Sequence, residues 1–166
     1  EEFENLFREY IKKFTTADIT YSSPLRNMNE LEVTKEFVKY PKYFKVFSSC
    51  NRNFKISPST SPRTRRFRAP LRTNPLRIWC GKCAKCLFVF TLLSGFISKE
   101  ELLGIFGQNL FEERSLLKTF RELLGLENFK PFECVGTPEE VKTALEKIST
   151  KGEFNKTFLM RYFLSL

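Results

Sequence analysis

Four of the five cysteines in this 166-residue chain are spaced for a single task. Cys80, Cys83 and Cys86 stand in Cys-Gly-Lys-Cys-Ala-Lys-Cys, and Cys50 lies upstream. Zinc takes four soft ligands in a tetrahedron at about 2.3 Å, and a C-x2-C hook supplies two of them from one turn. Gly81, directly after Cys80, suits the tight turn of such a knuckle. Cys86 falls in the first turn of an apolar helix, where the helix N-terminus favours a thiolate. Lys82 and Lys85 offset part of the negative charge that four thiolates bring. With all four positions taken by protein, such a zinc holds structure and activates no water. Two further chemistries use the same residues, disulfides and an iron–sulfur cluster; a reducing compartment disfavours the first. Cys134, in Pro-Phe-Glu-Cys-Val-Gly, stands apart. It reads either as a small buried residue or as an acid/base thiol near a substrate carbon.

Other chemistries are excluded by composition. There is no His, hence no His-containing triad, no His base and no His-ligated metal. Asp18 is the single Asp, which argues against a magnesium site of clustered Asp. Neither G-x-x-x-x-G-K-[ST] nor G-x-G-x-x-G occurs, so no phosphate cradle of those types is present.

The net charge of +9 is concentrated in one segment. Residues 52–77 hold eight basic side chains and no acid, and the remainder is nearly neutral with 20 basic and 19 acidic residues. The same segment is rich in Ser and Pro and reads as an extended insertion between ordered pieces. An RNA- or phosphate-binding arm is the alternative. Only Phe54 and Phe67 offer stacking platforms within it, so nucleic acid is not the expected partner. No run approaches the ~20 apolar residues of a membrane span, and no signal pattern opens the chain, so the cytoplasm is the expected location.

The elements that must position the cysteines follow from periodicity. Phe3, Leu6, Phe7, Tyr10, Ile11 and Phe14 predict an amphipathic helix over residues 1–14. A turn at 20–27 leads to a helix from Glu30 to Val38 that stops before Pro41. Tyr43–Phe47 alternates weakly and reads as a short extended piece. Leu87–Phe96 is apolar on nearly every side, the mark of a buried helix. Ser98-Lys-Glu-Glu101 and Thr137-Pro-Glu-Glu140 are capping boxes opening two further helices. Leu116–Leu124 forms another stripe closed by Gly125, and 130–135 reads as extended. The expected fold is mainly α: six or so helices around one core, with a four-cysteine zinc knuckle and little β. Beginning at Glu1 inside a helical pattern and without an initiator Met, the chain is expected to be part of a longer protein.

Ser-Ser-Cys50-Asn-Arg followed by Cys-Gly-x-Cys-x-x-Cys resembles the zinc end of the PP-loop ATP pyrophosphatase superfamily, which includes 7-cyano-7-deazaguanine synthase. Ser23-Pro-Leu-Arg-Asn-Met-Asn-Glu-Leu-Glu-Val is similar to that superfamily's Pro-Leu segment and following helix. Three stretches give a closer match: Tyr43 to Phe54, Trp79 to Phe90, and Lys130-Pro-Phe-Glu-Cys-Val-Gly-Thr. Together they resemble the C-terminal region of the UDP-N-acetylmuramoyl-L-alanyl-L-glutamate epimerases, over about residues 1–148.

That resemblance implies the end of a larger α/β PP-loop-type enzyme. The family uses ATP and magnesium to make an acyl-adenylate of the terminal L-glutamate, inverts its α-carbon and hydrolyses the product, giving D-glutamate for peptidoglycan. Its Ser-Gly-Gly-x-Asp-Ser pyrophosphate loop is absent here and would lie upstream, so this chain alone is expected to be inactive. Carried over residue by residue, Cys50, Cys80, Cys83 and Cys86 become metal ligands. Arg26, Asn51 and Arg52 become contacts to phosphate or carboxylate of the UDP-linked muramoyl dipeptide or ATP. Cys134 and Glu133 become candidates for proton transfer. The implied organisation is 1–51 as the end of the ATP-pyrophosphatase-like region, 52–77 as the basic insertion, 78–150 as the zinc-knuckle helical domain, and 151–166 as an unassigned tail. Two other functions fit the same residues: a PP-loop enzyme acting on a tRNA base or its precursor, and a stand-alone zinc module binding RNA through 52–77.

Overall fold

The computed structural model describes residues 2–15, 19–52, 78–127, 131 and 134–166. Seven α-helices occur among them: α1 (Glu2–Phe14), α2 (Glu30–Phe37), α3 (Ala84–Ser94), α4 (Lys99–Phe106), α5 (Leu117–Leu123), α6 (Pro138–Lys151) and α7 (Phe158–Leu164). Short 3-10 turns cover Pro41–Tyr43, Leu110–Glu112 and Arg114–Leu116, and no strand is present among the described residues. The mainly α expectation therefore stands.

Helix α3 is the axle of the core. Its sequence is apolar on all sides, and α2, α4, α5 and α6 pack around it. Its two buried hydroxyls are satisfied inside the helix: Thr91 Oγ1 donates to the Leu87 carbonyl at 2.9 Å and Ser94 Oγ to that of Phe90 at 2.6 Å. The Phe90 ring meets Phe106, Phe111 and Phe154 edge-on at centroid distances of 5.1, 4.9 and 6.1 Å. Such pairs contribute about 0.5–1.5 kcal/mol each beyond their area burial. Past the end of α3, Lys151 Nζ donates to the carbonyls of Ser94 and Ile97 at 3.2 and 2.6 Å, placing a cation where the helix dipole is negative.

The helix starts are set by local chemistry. Both capping boxes form, Ser98 with Glu101 and Thr137 with Glu140. A third, Asn29 with Glu32, opens α2. Gly107 and Gly152 end α4 and α6 in the left-handed conformation that a Cβ disfavours.

The structure departs from the sequence reading, or adds to it, at three places. Tyr43–Phe47 is not extended: Pro41 fixes the first φ of a 3-10 turn, and backbone bonds from Val46 and Phe47 to the Tyr43 carbonyl continue the coil. Residues 151–166, unassigned from the sequence, take part in the fold: α7 and the turn before it bury Phe154, Leu159 and Met160 in the common core. Helix α1 forms as read, but its apolar stripe does not enter that core: Phe3, Leu6, Tyr10 and Phe14 are exposed, and the buried residue of α1 is Glu4. Half of the 130–135 stretch read as extended, residues 130, 132 and 133, lies outside the described residues, as does nearly all of the basic 52–77 segment. No helix among the described residues is long and apolar enough to cross a membrane.

Candidate metal centre

The four sequence-selected thiols converge. The Sγ atoms of Cys50, Cys80, Cys83 and Cys86 all lie within 4.8 Å of one another. The Cys80–Cys86 separation is 3.6 Å and the Cys83–Cys86 separation 3.4 Å. A tetrahedron of sulfurs about 2.3 Å from one zinc has edges of roughly 3.8 Å, so the donor set fits a single ion. These separations far exceed the ~2.05 Å of a disulfide, and all five cysteines are free. An iron–sulfur cluster sets several metal atoms between its thiolates and needs them further apart. Of the chemistries open at the sequence level, one tetrahedral ion suits the geometry best.

Each ligand is delivered by a separate device. Ser48 Oγ donates to the Ile78 carbonyl at 3.0 Å and accepts from Cys50 N–H at 3.3 Å, so the chain before Cys50 is pinned beside the chain before Cys80. Trp79, almost fully buried, wedges between Phe47 and Phe106 at 5.2 and 4.8 Å and fixes the approach to Cys80. Gly81 then turns the chain at φ +67°, a conformation that L side chains resist. Gln108 Nε2 donates to its carbonyl at 3.5 Å. Cys83 is the N-cap of α3, and Cys86 sits in its first turn.

Backbone amides already point at sulfur. Cys80 N–H donates to Cys50 Sγ and Lys82 N–H to Cys80 Sγ, each at 3.4 Å. The Lys82 bond favours the charged form of the Cys80 sulfur, the form a metal requires. Without a metal the thiols compete for protons. The hydrogen bond with Cys86 holds the Cys83 thiol down at about 5. That same bond, then burial, pushes Cys86 well up, and burial first of all raises Cys80. Lys85 donates to the Cys134 carbonyl, and its ammonium lies over the Phe88 ring.

The remaining candidates are scattered in kind. Cys134 is exposed, which overturns its reading as a buried packing residue. Glu133 lies outside the described residues. Asn51 and Arg52 form an exposed turn directly after Cys50, the first candidate ligand. Arg26 is ion-paired with Glu4, whose carboxylate is largely buried.

Sequence reasoning missed a second polar junction. Glu140 Oε2 accepts the Thr137 N–H, as its capping box demands, while Oε1 accepts the N–H of Glu30 at the start of α2; both bonds are 2.7 Å. One carboxylate thus ties two helix N-termini together. Beside it opens a cavity of about 710 Å³, with Leu25, Met28 and Val33 on its apolar side. The Thr-x-x-Glu box was visible in the sequence; its partner across the fold was not.

A family model described as the MurL C-terminal domain matches residues 46–165, which include all four clustered cysteines and α3–α7. Among curated proteins, the UDP-N-acetyl-alpha-D-muramoyl-L-alanyl-L-glutamate epimerase of Xanthomonas oryzae pv. oryzae is 36% identical over 98% of this chain and 33% of its own length. Proteins of the same name from a Micromonospora species and from Salinispora tropica are 31% and 34% identical. They cover 96% and 91% of this chain, and 32% and 30% of their own. The chain thus spans about a third of the length of the curated relatives it matches. No solved structure matches.

Proposed function

This chain belongs to the MurL C-terminal domain family, and from that premise we propose that it is the C-terminal part of an ATP-dependent epimerase acting on the terminal L-glutamate of a UDP-linked muramoyl dipeptide. The observation that carries this reading is the match along nearly the whole chain to relatives named for that epimerisation.

The chemistry has a clear physical logic. A free carboxylate resists loss of the α-proton, because charge would build on charge. Attack of the carboxylate on ATP forms an acyl-adenylate and releases pyrophosphate, which removes that obstacle. A base takes the α-proton, a proton returns to the opposite face, and water cleaves the acyl–phosphate bond to release AMP and the D-glutamyl product. ATP and magnesium belong, in this reading, to a PP-loop portion outside the present chain. The use of ATP and a nucleotide-linked substrate makes the cytoplasm the location we propose.

Within this chain, Cys50, Cys80, Cys83 and Cys86 would hold zinc as a structural crosslink between the Cys50 turn and the start of α3. Asn51 and Arg52, exposed beside it, are our candidates for contact with substrate phosphate or carboxylate. Arg26 can serve the same end only by releasing Glu4. Exposed Cys134, with its neighbour Glu133, is the candidate for proton transfer.

The test is solvent exchange at the α-carbon. The full-length protein, given the muramoyl dipeptide, ATP and magnesium in D2O, should yield D-glutamyl product carrying deuterium at Cα, with AMP formed in step. Product without deuterium, or inversion without ATP, would refute the acyl-adenylate route. Cys134→Ser should lower the rate of deuterium uptake more than the rate of AMP formation; equal effects would remove Cys134 from the proton transfer.

A further inference from the structure

Helix α1 is built like a core helix yet, among the described residues, is covered on one edge. Glu4 reaches Arg26, Arg8 Nε donates to the Tyr21 carbonyl at 3.1 Å, and Phe7 meets the Tyr21 ring at 5.1 Å. Phe7 and Ile11 are half-buried on that edge. The rest of the stripe faces outward: Phe3 is 65% exposed, Leu6 58%, Tyr10 56% and Phe14 63%. Ile19, Tyr21 and Leu25 add exposed apolar surface on the following turn. Scattered exposed apolar residues are ordinary, but a contiguous helical stripe with its own aromatic stacking (Phe3 on Phe7 at 5.9 Å, Tyr10 against Phe14 at 4.9 Å) marks an interaction surface.

We infer that this face of α1 docks against the domain that makes up the remaining two thirds of the relatives. Two observations choose that occupant. The family match begins at residue 46, so α1 and its turn lie before the C-terminal domain, yet the Xanthomonas relative matches 98% of the chain. The stripe thus lies outside the domain that the family model covers, yet within the part shared with the relatives. Those relatives also carry about two thirds of their length outside the match, a body large enough to cover a four-turn helix. Helix α2 and the Glu140 junction fix the other end of the 1–45 segment to the core, so α1 is presented as a preformed plate. The inference rests on family membership and goes beyond the proposed reaction; its test needs no turnover.

Backbone hydrogen exchange decides it. The 166-residue chain is compared with a full-length polypeptide in which it replaces the matching third of the Xanthomonas relative. Amides of α1 should exchange at least about tenfold more slowly in the full-length protein, while α3 amides stay equally protected in both. Leu6→Asp with Tyr10→Asp in the full-length protein should restore fast exchange in α1 without touching α3. Equal α1 exchange in the two wild-type proteins would overturn the proposal, whatever the variant does. So would α1 protection in the 166-residue chain that grows with concentration, since a second copy would then be the occupant.

Discussion

Replacing Cys83 by Ser tests the reading of the four thiols most directly. Cys83 is both a proposed ligand and the N-cap of α3, and it is almost fully buried. Structural zinc binds zinc-finger peptides with about 10–16 kcal/mol, so the loss of one ligand in four removes roughly 3 kcal/mol. That is a large part of a net stability of about 5–15 kcal/mol. For a chain of this size each kcal/mol shifts Tm by about 2–4 °C, so the variant should melt roughly 6–12 °C lower. The assay pairs metal content by mass spectrometry with thermal unfolding followed by circular dichroism, with and without a chelator. The wild type should carry zinc and lose stability on chelation; Cys83→Ser should carry far less and be insensitive to the chelator. Cys134→Ser, outside the cluster, should match the wild type in both. A Cys83→Ser protein with full zinc content and a Tm within about 2 °C of wild type would refute the assignment.

Zinc affinity should rise with pH. Cys80 and Cys86 are held above the ordinary thiol value and must each release a proton on binding, whereas Cys83 at about 5 is already a thiolate at neutral pH. Competition against a chelator around neutral pH should give at least about two powers of ten in affinity per pH unit, and a pH-independent affinity would contradict this. Gly81→Ala places a Cβ 2.1 Å from Gln108 Nε2 at a left-handed φ. It should cost about 1–2 kcal/mol, read as a lower Tm of the zinc-loaded protein. Thr137→Ala removes the acceptor for the Glu140 N–H and should cost about 1 kcal/mol by urea unfolding; an unchanged midpoint would show the box to be dispensable.

Features encoded within a few residues were legible in the sequence. The C-x2-C-x2-C run had to converge because its spacing exceeds no more than one turn and the start of a helix, and the boxes at Ser98 and Thr137 each need only four residues. The box at Asn29–Glu32 follows the same rule within four residues. What a local pattern leaves open is the identity of its partner. The stripe of α1 announces a face but not what covers it. The alternation at Tyr43–Phe47 was too short to prevail over Pro41. The last sixteen residues are unassigned in the sequence, yet Leu159 and Met160 are fully buried in the core, and the apolar pairs Phe158–Leu159 and Tyr162–Phe163 at helical spacing are the signal. Cys134 shows the limit of residue statistics: a cysteine is usually buried, and this one is exposed.

The clasp formed by Ser48 with Ile78, and by Cys50 with the Cys80 amide, has a consequence for chain length. It brings the two ends of the intervening stretch together using groups that lie outside that stretch. The entropy of closing such a stretch grows only with the logarithm of its length, about 0.6 kcal/mol for each doubling. A clasp of this kind leaves the folded core almost indifferent to how much sequence lies between its ends. By that measure a doubling of length there costs less than the ~1 kcal/mol of a single lost helix cap.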